Sequence, residues 1–331
     1  MRVIFVGGQG RSGSTLIERV LGELPGVRAL GEAVHVWQDQ LHTDQRCGCG
    51  AWFSACEFWT AVGDRAFGGW HNVDRQRILR LWSAVACTRS IPLLVRPGAS
   101  RLAMIGEFAS YQARVYAAAA EVSGARAVVD STKYPALAYC LRVAPELDLR
   151  VVHLVRDPRG VAYSWTKQVA RPETDGRTMV PTYRPARSAL RWSAHNAALD
   201  LLSRLGRAGA GGAGRVPVHR TRYEDFLADP RGTVRALAAF AGLPLDLADL
   251  SYLGADHAEL GPVHSASGNP MRFVTGRTRL RRDDTWRTAL PAGQRRLVSA
   301  ICAPQLAAYG YPPFSRAGSA GPSSRSTRCS P

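Results

Sequence analysis

A chain of 331 residues with a formal charge of +17 and a pI near 10.4 can bury a large core, and its basicity suits an anionic partner. Lysine occurs only at Lys133 and Lys167, and the arginines are scattered, without an aromatic-basic RNA motif or zinc-finger spacing, so a small anionic ligand is expected and nucleic acid is not. No apolar run approaches the roughly 20 residues that span a bilayer, and Arg2-Val3-Ile4-Phe5-Val6 runs straight into glycines with no separate signal-like region; a cytoplasmic protein without stable membrane insertion is expected.

In chain order, apolar runs at 3–6, 127–129, 151–155 and 216–219 are bounded by turn residues, and a short run at 27–30 is a fifth candidate. Continuous runs of this kind suit strands covered on both faces. Helical patterning over 14–23, 73–88, 106–123, 134–143, 158–170, 185–206 and 231–241 alternates with them. The alternation predicts an α/β fold: a P-loop-like parallel sheet of four to five strands flanked by helices. Residues 33–125 contain no strand pattern and are rich in Trp, Gly and Arg; they read as a helical insertion over the carboxyl edge of the sheet, a lid for the acceptor. Gly-Ala-Gly-Gly-Ala-Gly at 209–214 reads as a flexible loop, and the Ser, Gly, Arg and Pro of 315–331 as a disordered tail. One domain over 1–314 is the expected organisation.

Val3 to Gly22 reads as strand, glycine loop and helix, with Gly8 and Gly13 at the spacing of a phosphate-binding loop. Such a loop points backbone N–H groups and a helix amino end at an anion. Ser14 stands where the lysine of an ATP or GTP loop belongs, and Arg11 supplies a cation from within the loop. A second anion site follows the third long strand: Arg156 leaves the strand end, Asp157 reads as an N-cap, Pro158 as the first helical residue, and Ser164 lies two turns on. An arginine fork and a hydroxyl can converge on one phosphate. Two such sites on one sheet edge call for a ligand with phosphates at both ends of a nucleoside. Cys47-Gly48-Cys49-Gly50 and Cys56 could supply three thiolates to zinc, although no fourth ligand is evident in sequence; reduced small hydrophobes or one strained disulfide is the plainer reading.

The chain resembles sulfotransferases that use 3′-phosphoadenosine-5′-phosphosulfate. Gly10-Arg11-Ser12-Gly13-Ser14-Thr15-Leu16 looks like their 5′ loop, and Val155-Arg156-Asp157-Pro158-Arg159 through Ser164 like their 3′-phosphate motif. Leu30-Gly31-Glu32, Arg222-Tyr223-Glu224-Asp225-Phe226 and Ala303 through Pro312 look closest to the branch with tyrosylprotein sulfotransferases and many bacterial enzymes. The resemblance implies that Gly10, Arg11, Ser12, Gly13, Ser14, Thr15 and Leu16 hold the phosphosulfate, that Arg156 and Ser164 hold the 3′-phosphate, that Tyr223 lies near the nucleotide, and that the product is 3′,5′-adenosine bisphosphate, with no metal required. It implies Glu32 as the catalytic carboxylate.

In-line attack by an acceptor hydroxyl needs a base on one side and positive charge on the other. Glu32 is the expected base, its pKa raised by burial under the Trp-rich insertion, with His35 one helical turn away as the alternative. Arg11 and Lys133 are the expected cations. Residues 265–272 and 281–287 are expected to close over the nucleotide, with Arg272 as the candidate phosphate ligand. The acceptor is a hydroxyl compound of unspecified class. Two rival readings remain at this level: a P-loop kinase or NTPase, with Asp130 imitating a strand-end magnesium ligand, and a non-catalytic nucleotide- or polyanion-binding protein.

Overall fold

The computed structural model describes residues 1–86, 90–174, 178–205 and 215–312. The loop expected at 209–214 and the tail expected from 315 lie outside the described residues.

Five parallel strands form the central sheet in the order β2-β3-β1-β4-β5: β1 Arg2–Gly8, β2 Val27–Ala29, β3 Ala127–Lys133, β4 Asp148–Val155 and β5 Val218–Arg222. A two-stranded antiparallel ribbon follows, β6 His257–Leu260 with β7 Gly276–Arg279. The continuous apolar runs arise because both sheet faces are covered. Val3 and Phe5 of β1 pack into one cluster and Ile4 and Val6 into the other, following the period-two alternation of a strand. β3 continues past its apolar half through Asp130-Ser131-Thr132-Lys133, whose polar side chains hid the strand end.

Helix α1, Ser14–Gly22, returns from β1 and buries Leu16, Ile17, Val20 and Leu21 against Ile4, Val6 and Val129. Helices Arg75–Val85, Ala99–Ser123, Pro135–Leu141, Pro185–Leu202 and Pro230–Phe240 fall on expected stretches. The helix after β4 stops at Ser164 instead of 170. Trp165 turns the chain there: its indole N–H donates to the Gly10 carbonyl at 3.0 Å, and its own carbonyl accepts the Tyr183 N–H at 2.9 Å.

Residues 33–125 are expected to form a helical insertion. Their described residues are helical and loop structure with one isolated bridge, Arg46 to Trp52. Trp37, Trp59 and Phe108 are fully buried in the cluster that also holds Val3, Phe5 and Val128, so the aromatic residues build one face of the core. Helix Ala99–Ser123 connects β2 to β3 and must pack on the sheet for the crossover to close. Of the described residues of this region, only His35 and Asp39 border the cleft described below.

β1 has β3 on one side and β4 on the other, so chain connections diverge at its carboxyl end. Ligands bind at such a switch point in parallel α/β sheets. The ends of these three strands bring together the loop after β1, Lys133 and Arg156.

Candidate anion-binding active site

The loop from Gln9 to Gly13 leads into α1. Gly13 is the N-cap with φ +92°, and a Cβ there would meet the Tyr223 ring at 2.3 Å, so the position demands glycine twice over. Arg11 also sits in the left-handed region, φ +73°, a conformation that costs energy for a side-chain-bearing residue. Its guanidinium lies 5.2 Å from the Trp165 ring centre, and burial pulls its pKa down while Glu32 pulls it back up. Arg11 Nη2, Ser12 Oγ and Gln9 Oε1 are buried without an internal partner. Buried polar atoms are normally paired, so a loop carrying several orphans is organised for a polar ligand.

Across the cleft, Arg156 follows β4. Its Nη1 donates to the Arg11 carbonyl at 3.0 Å, and its guanidinium lies 4.9 Å from the Tyr223 ring centre. Asp157 is the N-cap of the next helix, accepting the Arg159 N–H at 2.9 Å, with Pro158 in the first turn. Arg159 itself is buried in an ion pair with Asp157 at 2.7 Å and faces away from the cleft. Glu224 accepts the Asp157 N–H at 3.0 Å and the Tyr311 hydroxyl at 2.6 Å. The Tyr223-Glu224 and Tyr309-Gly310-Tyr311 segments thereby hold the arginine-bearing turn in place.

The third wall carries the acid-base groups. Glu32 Oε1 pairs with Lys133 Nζ, and its Oε2 lies 3.6 Å from His35 Nε2. His35 Nδ1 is 2.7 Å from Asp39 Oδ2, so the imidazole bridges two carboxylates. Lys133 ends β3 with φ +72°, which turns it out of the strand direction. Burial pushes the Glu32 carboxyl up, but Lys133 and His35 together outweigh burial and hold it below its ordinary value of 4.5. The expected upward shift is therefore reversed: burial acts as anticipated, yet the sequence did not show that the rare lysine lands on this carboxylate. Asp130, the residue of the NTPase reading, is fully buried and accepts the Thr132 N–H at 2.7 Å and the Tyr116 hydroxyl. It holds the β3 end and does not border the cleft.

These walls enclose a cleft of about 530 Å³ lined by Gly10, Arg11, Gly13, Ser14, Thr15, Leu16, Glu32, His35, Lys133, Arg156, Ser164 and Tyr223, all singled out from sequence. Ser12 is not on its surface, being buried beneath the loop. Arg272 is a second departure. It is fully buried and donates to the Gly268 carbonyl at 3.0 Å and the Arg46 carbonyl at 3.2 Å, which braces the wall from behind. Ser267 through Met271 do border the cleft, whereas 281–287 do not. Sequence reasoning missed Asp39, Arg171, Tyr183, Arg191 and His195, which also line it. His195 is held near the Gly8 carbonyl at 3.3 Å, and burial pulls its pKa down to about 4, so it is neutral at pH 7. None of these has a motif around it; they converge only through the packing of separate helices and loops.

The fold and cleft define an α/β protein in which a lysine-less glycine loop faces an arginine at the end of the neighbouring strand. A model of the sulfotransferase family matches residues 3–247, and the chain belongs to that family. Human carbohydrate sulfotransferase 6 is 30% identical over 185 residues, 53% of this chain and 45% of that one. Human carbohydrate sulfotransferase 3 is 29% identical over 179 residues, 50% of this chain and 34% of its own. The chain spans less than half the length of these curated relatives. Among solved structures, the sulfotransferase domain of the Synechococcus PCC 7002 olefin synthase is similar at 20% identity and a TM-score of 0.48, covering 94% of this chain and 95% of that one.

Proposed function

We propose that this chain transfers a sulfuryl group from 3′-phosphoadenosine-5′-phosphosulfate to a carbohydrate hydroxyl, with Glu32 as general base. The observation that carries the reading is one cleft holding Arg11 and Arg156 at adjacent strand ends and an ionised Glu32 paired with Lys133. The orphaned polar atoms of the loop fit the donor: the loop N–H groups, Arg11, Ser14 and Thr15 would hold the phosphosulfate, and Arg156, Ser164 and Tyr223 the 3′-phosphate and nucleoside. The bound donor supplies an activated sulfuryl group on a phosphate leaving group. Glu32 accepts the acceptor's proton, Lys133 and His35 hold Glu32 in place with Asp39 behind His35, and Arg11 offsets negative charge on the leaving side. The carbohydrate acceptor is supported by the names of the curated relatives and by Tyr134, Trp165 and Tyr183 in the cleft lining, which offer faces for a sugar.

Calorimetric titration tests the donor site. Metal-free 3′,5′-adenosine bisphosphate is expected to bind more tightly than Mg·ATP, and Arg156→Ala to lose at least about tenfold in affinity, the worth of a charge-assisted hydrogen bond. A preference for Mg·ATP, or full affinity in Arg156→Ala, overturns it. Radiolabelled sulfuryl transfer to a panel of sugars, phenols and peptides tests the acceptor class.

A further inference from the structure

The thiolate cluster that lacked a fourth ligand in sequence has one in the fold. Cys47, Cys49, Cys56 and His264 present ligand atoms that all lie within 4.8 Å of one another. Cys56 Sγ lies 3.7 Å from Cys47 Sγ and 3.7 Å from Cys49 Sγ. His264 Nδ1 lies 3.3 Å from Cys56 Sγ and 4.0 Å from Cys47 Sγ. A tetrahedron with zinc–sulfur bonds of about 2.3 Å and zinc–nitrogen bonds of about 2.0 Å has S···S edges of roughly 3.8 Å and S···N edges of roughly 3.5 Å. A disulfide needs its sulfurs about 2.05 Å apart, and all three cysteines are free.

We propose that Cys47, Cys49, Cys56 and His264 form a structural zinc site. Each ligand is placed by its own local structure. Cys47 and Cys49 sit on a tight turn closed by the Gly50 N–H to the Cys47 carbonyl at 2.8 Å and the Cys47 N–H to the Ala51 carbonyl at 2.8 Å. Cys56 is the N-cap of helix Glu57–Phe67. The His264 ring stacks on Phe58 at 4.9 Å, and the His264 carbonyl accepts the Trp59 indole N–H at 3.0 Å. Three thiolates and an imidazole select zinc over magnesium or calcium, and four protein ligands leave no open position for catalysis. Cys47 and Cys56 are buried while Cys49 is exposed, which leaves a path for the ion.

The site has a consequence for the cleft. His264 precedes Ser265, whose carbonyl accepts the Gly48 N–H at 3.0 Å, and Ser267, whose carbonyl accepts the Glu32 N–H at 3.1 Å. The metal therefore pins the 264–271 wall to the start of the helical region beside Glu32.

Elemental analysis of the purified full chain is expected to find about one zinc per molecule, and a cobalt-substituted sample to show the charge-transfer and ligand-field bands of a tetrahedral thiolate site. Cys56→Ser and His264→Ala are expected to lose most of the metal, and Cys140→Ser to keep it. Should Cys56→Ser not fold, His264→Cys, which retains four ligands, is expected to hold one cobalt with a changed charge-transfer spectrum. A wild-type chain that takes up neither zinc nor cobalt overturns the proposal, as does a disulfide among these cysteines in peptide maps of freshly purified protein. These readouts do not use sulfuryl transfer, so their failure leaves the proposed activity standing.

Discussion

Glu32 and Lys133 determine the sign of the pH response at the cleft. With its pKa held below 4.5 by Lys133 and His35 against burial, Glu32 is ionised throughout the neutral range, and any acid limb it imposes on kcat/KM lies below pH 4.5. Its stabilising contribution is present above its unfolded value and is lost as pH falls through the lowered folded value. Lys133→Met removes the largest opposing charge and leaves burial in command. The acid limb is then expected to move to higher pH by about a unit or more, with kcat reduced roughly tenfold or beyond. An unchanged pH-rate profile would show that Lys133 does not tune this carboxylate. Glu32→Ala is expected to cost about 10²- to 10⁴-fold in turnover, the range of a lost general base; full activity in that variant would move the role to His35. Lys133 was legible in sequence by rarity alone. Its partner was not, because the left-handed turn that aims it at Glu32 depends on how β3 ends.

At the scale of elements, α1 does more than its apolar pattern suggests. Its charged residues Glu18 and Arg19 are both buried. Glu18 accepts the Gly31 N–H at 2.6 Å and the Ser131 hydroxyl at 2.7 Å, which fixes the turn leading to Glu32. Arg19 donates to the Met271 carbonyl at 2.8 Å and the Gly261 carbonyl at 2.6 Å, which fixes the opposite wall. Burial lifts the Glu18 pKa to about 7. The fold therefore holds this proton more tightly than the unfolded chain does. The associated stability is fully present below pH 4.5 and is lost as pH rises through about 7, an effect of roughly 3 kcal/mol. Glu18→Gln keeps an acceptor for Gly31 and cannot ionise. Its denaturation midpoint is expected to be flatter than wild type between pH 4.5 and 7.5; parallel curves would mean that Glu18 stays charged or is not desolvated. The strand ends and the site of the helix break at Ser164 were equally hidden, since both are decided by polar contacts between distant segments.

For the whole molecule, a few of the arginines are used internally. Arg19, Arg159 and Arg272 are almost completely buried, and Arg142 donates to the Leu94 and Val95 carbonyls at 2.6 and 2.8 Å. Residues beyond the family match at 247 also belong to the core. Val298, Cys302, Leu306, Tyr309 and Tyr311 pack on Val155, Val161 and Trp192, directly behind the Arg156 turn. A chain ending at 247 loses this cluster and the Tyr311 contact to Glu224. It is expected to lose cooperative thermal unfolding and bisphosphate binding together, measured by circular dichroism and calorimetry; a truncated chain that melts sharply would show the cluster to be dispensable.

By itself the sequence determined the parallel sheet, the lysine-less phosphate loop, the second arginine site after β4 and the carboxylate after the first helix. These are local patterns: apolar runs follow from two-sided burial, and glycine, hydroxyl and arginine spacing within a few residues records how a turn must bend and what it must face. The tertiary structure decided what local spacing cannot encode. It put Lys133 on Glu32 and thereby lowered a pKa that burial would raise. It drew Trp37, Trp59 and Trp82 into the core, buried Arg272 behind the cleft wall, and brought His264 to three cysteines some 200 residues away in the chain, 208 from Cys56. Each of these outcomes turns on which distant groups share a low-dielectric interior, where charge pairing and hydrogen-bond demand outweigh the preference of any residue taken alone.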